Sequence, residues 1–339
     1  MRHYCTYFDH RYLSRGLAMI RSLRQFEPEA QIWVLALSKQ CEEVLGQLAE
    51  PGVIPIGLQT LEQSDPELAA TKSNRSIIEY YFTCTASLIW HVLGQVGNED
   101  LVTYIDGDLY FYSSPDPLYT ELGSDDVSII PHRFTPAMEH MLIHGIYNVG
   151  WLTFRTSDTA KAVCSWWRER CIEWCFDRLE GDRFADQKYL DRFLDFPGVK
   201  VLEHPGANLA PWNIGGHQVS FSDDIKVDGQ PLIFFHFHAI RKLGEHYYSL
   251  PHRGYKAPMT WQMRQRLYKP YLHHVLQIES DIVEKLLPPE VRTTSNLNRL
   301  PDARPGILTS LRRTAGKWVR MAAQVMTLNF VLVLNRRIY

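Results

Sequence analysis

The sequence predicts an α/β protein with a mixed, mostly parallel central sheet covered by helices, and three observations carry that reading. Short apolar runs of strand length, at residues 32–37 and 53–56, alternate with helix-periodic segments at 13–26 and 41–48. The apolar, β-branched run 101–111 breaks at two carboxylates one residue apart, Asp106 and Asp108, as a buried strand ending in a turn does. A second strongly apolar run, 232–235, leads into His236, His238 and the basic pair Arg241-Lys242.

Composition supports a globular chain. With 339 residues, 45% hydrophobic and 22% charged, it can bury one large core or two modest ones. A net charge of −2 offers no general field for nucleic acid, and no arginine-rich arm or zinc-finger spacing is present. Six cysteines without a Cys-x-x-Cys pair read as reduced core residues. Met1 to Cys5 enters a strand without a charged and then apolar leader, so the cytoplasm is the expected compartment.

In chain order, residues 4–7 read as a strand and Asp9-His10-Arg11-Tyr12 as a polar turn into the first helix, where Leu17, Ile20 and Leu23 recur at helical spacing. Residues 60–76 read as a polar connection carrying Lys72, Asn74 and Arg75, and 77–93 as a buried helix. Strands are expected over 127–130 and 145–154, the latter with Asn148 at a glycine-flanked bend. A helix over 160–179 puts Cys164, Cys171 and Cys175 on one face, best read as helix core. Residues 184–190 open another helix with Asp186 in its first turn, where plain capping is the simplest reading. The stretch 208–216 is rich in turn formers yet aromatic, which suits a ligand-facing loop presenting Trp212 and Asn213. The expected division is a sheet domain over 1–250, a helical extension over 251–300 with a helix at 271–287, and a linker plus basic, apolar C-terminal helix over 301–339.

Side chains two apart on extended chain point the same way, so Asp106 and Asp108 can share one hard divalent cation, and Gly107 lets the backbone approach a ligand. A buried pair of like charges is costly unless a cation neutralises it.

Taken together, these residues resemble the GT-A sugar-nucleotide-dependent glycosyltransferases, and within them family 8, the glycogenin-like and bacterial lipopolysaccharide galactosyltransferase-like enzymes. The resemblance spans roughly residues 1–250. It rests on a βα turn with Thr6 and Tyr12, the Asp-x-Asp of Asp106 and Asp108, an Asn-x-Gly strand (Asn148, Gly150), an Asp-Gln helix start (Asp186, Gln187), and a late His followed six residues on by Lys (His236, Lys242). Where family members carry a basic residue on the helix before the Asp-x-Asp, this chain has Thr83-Cys84-Thr85, which leaves Lys72 or Arg75 for that part.

The resemblance implies a GT-A fold with a C-terminal helical appendage, and transfer of a hexosyl group, with retention, from a nucleoside-diphosphate sugar, foremost a UDP-sugar. Mn²⁺ or Mg²⁺ would sit between Asp106, Asp108 and His236 and the diphosphate. Lys242 would neutralise further charge, and Thr6 and Tyr12 would meet the nucleobase. Asp186 would bind sugar hydroxyls with Gln187 near the anomeric carbon, and Asn148 and Arg75 would complete the donor contacts. The six-residue spacing to Lys242 selects His236 over His238. The acceptor would be a glycan, lipid-linked or protein hydroxyl. Two other readings share the acidic site: a sugar-1-phosphate nucleotidyltransferase, which should carry a Gly-rich loop where Asp9-His10-Arg11 stands, and a non-catalytic sugar-nucleotide-binding module. The apolar helix expected over 318–334 has basic neighbours, so docking on an anionic membrane at its inner face and self-association are both expectations for the tail.

Overall fold

The computed structural model describes residues 1–243, 247–292, 329–334 and 337–338. Strands β1 (Arg2–Phe8), β2 (Gln31–Ala36) and β3 (Val53–Gly57) pair in parallel, and α1 (Leu13–Arg24) and α2 (Lys39–Leu48) provide the crossovers that parallel pairing requires. The segment expected as a plain polar connection folds into two short helices, α3 (Leu58–Ser64) and α4 (Pro66–Thr71). Leu61 and Leu68 are buried there, enough apolar anchorage to order a mostly polar stretch. Ser76 and Glu79 close a capping box at the start of α5 (Ile77–Leu93), the expected buried helix.

β4 (Leu101–Ile105) lies parallel to β1, and the chain turns through Asp106–Asp108 into β5 (Leu109–Phe111). After α6 (Asp116–Leu122) come β6 (Val127–Pro131), β7 (Tyr147–Arg155), α7 (Asp158–Glu173) and β8 (Val199–Val201). They complete a seven-stranded sheet in the order β3-β2-β1-β4-β7-β6-β8, in which only β7 runs antiparallel to its neighbours. The mixed, mostly parallel, helix-covered sheet expected from the sequence is the one observed.

Further local expectations change. Asn148 lies within continuous β7, and the register slip falls on β6 between Ser128 and Ile130. Helix α7 stops at Glu173 because Trp174 turns to extended backbone and packs against Phe176, although Cys164, Cys171 and Cys175 are all buried and free as expected.

Small antiparallel elements complete the chain. They are a sheet of β9 (Val219–Phe221), β10 (Ile225–Val227) and β11 (Gln230–Pro231), then β12 (Phe234–His236) against β5, then β13 (Arg241–Leu243) and β14 (Tyr247–Ser249). β15 (Phe330–Leu334) adds to β14, and β16 (Arg337–Ile338) to β15. The end of the helix expected over 318–334 is therefore strand. Val331 and Val333 alternate inward to bury themselves, which a sheet edge accommodates with period two. Residues 293–328, including the expected linker and the rest of that helix, lie outside the described residues. A helical run from Trp261 to Leu286 buries Tyr271, Leu272 and Val275 in the same core as Leu13, Leu17 and Ile20 of α1. Among the described residues no helix is long and apolar enough to cross a membrane.

One buried ion pair clips α3 and α4 to the helical layer. Asp65 caps α4 through Leu68 N–H (3.0 Å), and its carboxylate also accepts from Arg168 Nε (2.8 Å) and Nη2 (2.6 Å). Burial alone would raise the Asp65 carboxyl, but the Arg168 and Leu68 hydrogen bonds outweigh it and hold the group below its ordinary value of 3.8. A depressed carboxyl contributes stability above its unfolded pKa and loses it as pH falls through the folded one. Arg168→Met should therefore cost about 3 kcal/mol near neutrality. It should also flatten the loss of stability below about pH 4, as urea unfolding at several pH values would reveal.

Candidate active site

The strand order reverses direction between β1 and β4, which opens a crevice at their C-terminal ends. The turn Asp9–Tyr12 follows β1 on one side, and Asp106–Asp108 follows β4 on the other. Asp106 N–H donates to Gly150 O (3.2 Å) and Leu109 N–H to Asp106 O (3.2 Å), which ties the acidic turn to β7.

His236 arrives through the β5–β12 pair, whose register sets it opposite Leu109, while Phe237 N–H donates to Asp108 O at 2.9 Å. Its Nε2 stands 3.0 Å from Asp108 Oδ1 and 3.7 Å from Asp106 Oδ2. Nδ1 faces Asn208 Oδ1 at 3.4 Å, a contact that turns Nε2 toward the carboxylates. Tyr12 OH donates to Asp108 Oδ2 at 2.8 Å and is itself met by Arg15 Nη1 at 3.1 Å.

The charges answer one another. Burial raises the Asp106 carboxyl to about 6 against the pull of His236, whereas at Asp108 the His236 contacts overcome burial and hold the group well below the usual range. Burial works against an imidazolium at His236, but the Asp108 and Asp106 charges outweigh it. His238 is lowered to about 4 by burial and by the charge on His236.

Asp108, His236 and His238 each offer a ligand atom, all within 4.8 Å of one another. A set of carboxylate oxygen and imidazole nitrogen, buried at Asp108 and His236, suits a divalent cation, and Asp106 Oδ2 lies 3.7 Å from the same imidazole. Spacing had set His238 aside; the tertiary structure brings it into the cluster. Period-two chain was the available signal, since His236 and His238 share one side of it.

Asp186 lines the same cavity. It precedes the 3₁₀ segment Gln187–Asp195 but makes no capping hydrogen bond; instead its carboxylate accepts from Thr85 Oγ1 of α5 at 2.8 Å. Burial, reinforced by the Asp106 charge, raises it to about 7. The simple capping reading thus gives way to a buried carboxyl facing a cavity. Gln187 Nε2 donates to His144 O at 3.1 Å.

One cavity of about 530 Å³ gathers Tyr12, Asp106, Asp108, Asn148, Asp186, Gln187, Trp212 and His236. Four other residues singled out from the sequence do not line it. Thr6 is wholly buried in β1. Arg75 stacks 4.0 Å over Phe176. Asn213 is buried and braces its own loop through Ala210 N, His132 O and Asn208 O. Lys242 Nζ is turned to Glu279 Oε1 at 2.8 Å. The walls also contain Tyr7, His132, Phe134, His144 and Phe184, which no spacing singled out, and no lysine or arginine among the described residues. Three left-handed non-glycine residues flank this constellation: Ala185 before Asp186 (φ 47°), Asn208 against His236 (φ 57°) and Ala239 after His238 (φ 58°). Such conformations cost about 1–3 kcal/mol each and gather where the surrounding fold over-determines a site.

The fold and site define a mixed α/β protein with an acid–imidazole cluster in the crevice of its central sheet. No family model matches the chain. The protein is 30% identical over 286 residues to uncharacterized protein YfnF of Bacillus subtilis (strain 168), an alignment covering 81% of this chain and 92% of YfnF, and it belongs to the same family. YfnD of the same organism is 29% identical over 253 residues, covering 73% of this chain and 81% of YfnD. Similar solved structures include the galactosyltransferase LgtC in complex with donor and acceptor sugar analogs, with 17% identity, 81% of this chain and 95% of that one covered and a TM-score of 0.48. The apo-form glycosyltransferase GlyE of Streptococcus pneumoniae TIGR4 gives 15% identity, 84% and 62% coverage and a TM-score of 0.49.

The Asn-x-Gly pattern has a packing cause. Gly150 N–H donates to Asn148 Oδ1 at 3.0 Å, and a Cβ on Gly150 would lie 2.5 Å from that oxygen and 3.0 Å from His236 Cε1. Gly150→Ala should therefore destabilise the fold by about 1–3 kcal/mol and weaken Mn²⁺ binding by displacing the imidazole. Thermal unfolding and calorimetric Mn²⁺ titration would check both; wild-type values in the two assays would mean the contact yields freely.

Proposed function

We propose that this protein is a metal-dependent GT-A glycosyltransferase, similar to family 8, that moves a hexosyl group from a nucleoside-diphosphate sugar, foremost a UDP-sugar, to the hydroxyl of a glycan, lipid-linked or protein acceptor. The observation that carries this reading is the meeting, in one cavity, of the Asp106–Asp108–His236 cluster and the separate buried carboxyl of Asp186. A diphosphate-holding end and a hydroxyl-binding end are what sugar transfer from a nucleotide requires.

Asp106, Asp108 and His236 would hold Mn²⁺ or Mg²⁺, with His238 in reach of the same ion. The bound cation would supply charge stabilisation for the departing diphosphate. Tyr12 would meet the nucleobase with its aromatic face, and Trp212, which stands edge-on to His236 and His238 at 5.0 and 5.5 Å, would shield the imidazoles from water. Asp186 would accept from sugar hydroxyls and orient the ring. Gln187 would lie beside the anomeric carbon; an amide is a poor nucleophile, so acceptor attack from the face of the leaving group, with retention, fits better than a covalent intermediate. Lys242 would have to leave Glu279 to contribute to the diphosphate.

Hydrolysis of a panel of nucleotide sugars with Mn²⁺ is the primary test. Activity should vanish in EDTA and in Asp108→Asn, and full turnover in EDTA would rule the reading out. Asp186→Asn should lower turnover by orders of magnitude while changing stability by about 1 kcal/mol or less. His236→Ala should abolish Mn²⁺ binding, whereas His238→Ala should retain it and alter donor or acceptor preference; loss of binding in the His238 variant alone would overturn the ligand assignment.

A further inference from the structure

Along the cavity, hydroxyls stand between its two carboxyls. Tyr104 OH donates to Asp106 Oδ1 at 2.9 Å. Tyr7 on β1 packs against Tyr104 on β4, with ring centroids 5.8 Å apart. Thr85 Oγ1 is 3.5 Å from Tyr7 OH and 2.8 Å from Asp186 Oδ2. Tyr7 and Tyr104 both line the cavity, and of the two it is Tyr7 that also reaches Thr85, the hydroxyl held by Asp186.

We propose that Tyr7 is a positioning residue for the reaction proposed above, its hydroxyl joining the metal-side carboxylate Asp106 to the sugar-side carboxyl Asp186 so that the two ends are oriented as one unit. The inference rests on that functional reading. Thr85 Oγ1 meets both Tyr7 OH and Asp186 Oδ2, and Tyr104 OH holds Asp106, so the hydroxyl and ring of Tyr7 sit between the two held carboxyls. Burial and the nearby Asp186 and Asp106 charges push the Tyr7 phenol up, which keeps it protonated and able to donate.

Tyr7→Phe removes one oxygen and leaves the ring. It should lower kcat about tenfold or more while the donor KM stays within about twofold and the melting temperature is unchanged, because orientation is lost and binding surface is not. Thr85→Val should reproduce the loss and Thr85→Ser should restore most of the rate. A wild-type kcat in Tyr7→Phe, or equal losses in the Thr85→Val and Thr85→Ser variants, would overturn the coupling while leaving glycosyl transfer intact. A wild-type protein that turns over no nucleotide sugar would instead remove the functional reading, and this proposal with it.

Discussion

Two carboxylates at the end of one buried strand set the constraint on which this structure depends. Asp106 and Asp108 follow directly from β4, whose side chains are core; Asp108 is buried and Asp106 keeps only a partial exposure of 29% at the crevice. Like charges so placed need an opposite charge, since desolvating a carboxylate without a partner costs several kcal/mol. The chain meets this need with a second strand end. β12 pairs with β5 in the one register that puts His236 beside both acids, and the apolar pair Phe234 and Trp151, stacked 5.5 Å apart, holds that strand against the main sheet. Much of residues 205–240 can be understood as scaffolding for that imidazole: Asn208 orients it, Trp212 covers it, and Asn213 braces the loop that carries both.

The same constraint explains the cavity's composition. Its walls are aromatic and imidazole-rich, without lysine or arginine among the described residues. A diphosphate entering such a space would find its compensating charge concentrated at the acid–imidazole cluster, which makes a divalent cation there the natural partner of the proposed reaction. Asp186 in the same cavity carries a carboxyl that burial raises to about 7, and in the proposed reaction it would meet sugar hydroxyls.

What the sequence by itself determined follows from periodicity and short-range chemistry. Alternating strand-length and helix-length apolar patterns specified the βα order of the first hundred residues, because a segment's face is decided by its own spacing. The Asp-x-Asp and the later His both ended apolar runs, and a polar ligand set at the end of a core strand is legible without knowing what lies opposite. The start of α5 is local as well, since Ser76 and Glu79 close its capping box through contacts three residues apart.

Tertiary structure alone decided the rest, because each remaining feature depends on a partner far along the chain. Asp186 is not a cap because Thr85, 101 positions away, takes its carboxylate. Lys242 faces Glu279 and Arg75 faces Phe176, pairings that no local pattern encodes. Residues 330–334 are strand because β14 presents an open edge for them, and an apolar, β-branched segment of that length satisfies helix and strand patterns alike until an edge is available. Tyr7 and His132 are ordinary residues in sequence, and spacing alone set His238 aside. They become cavity walls only when β1, β6 and the segment after β12 converge at the crevice of the sheet, since a side chain's chemistry is set by what surrounds it in space.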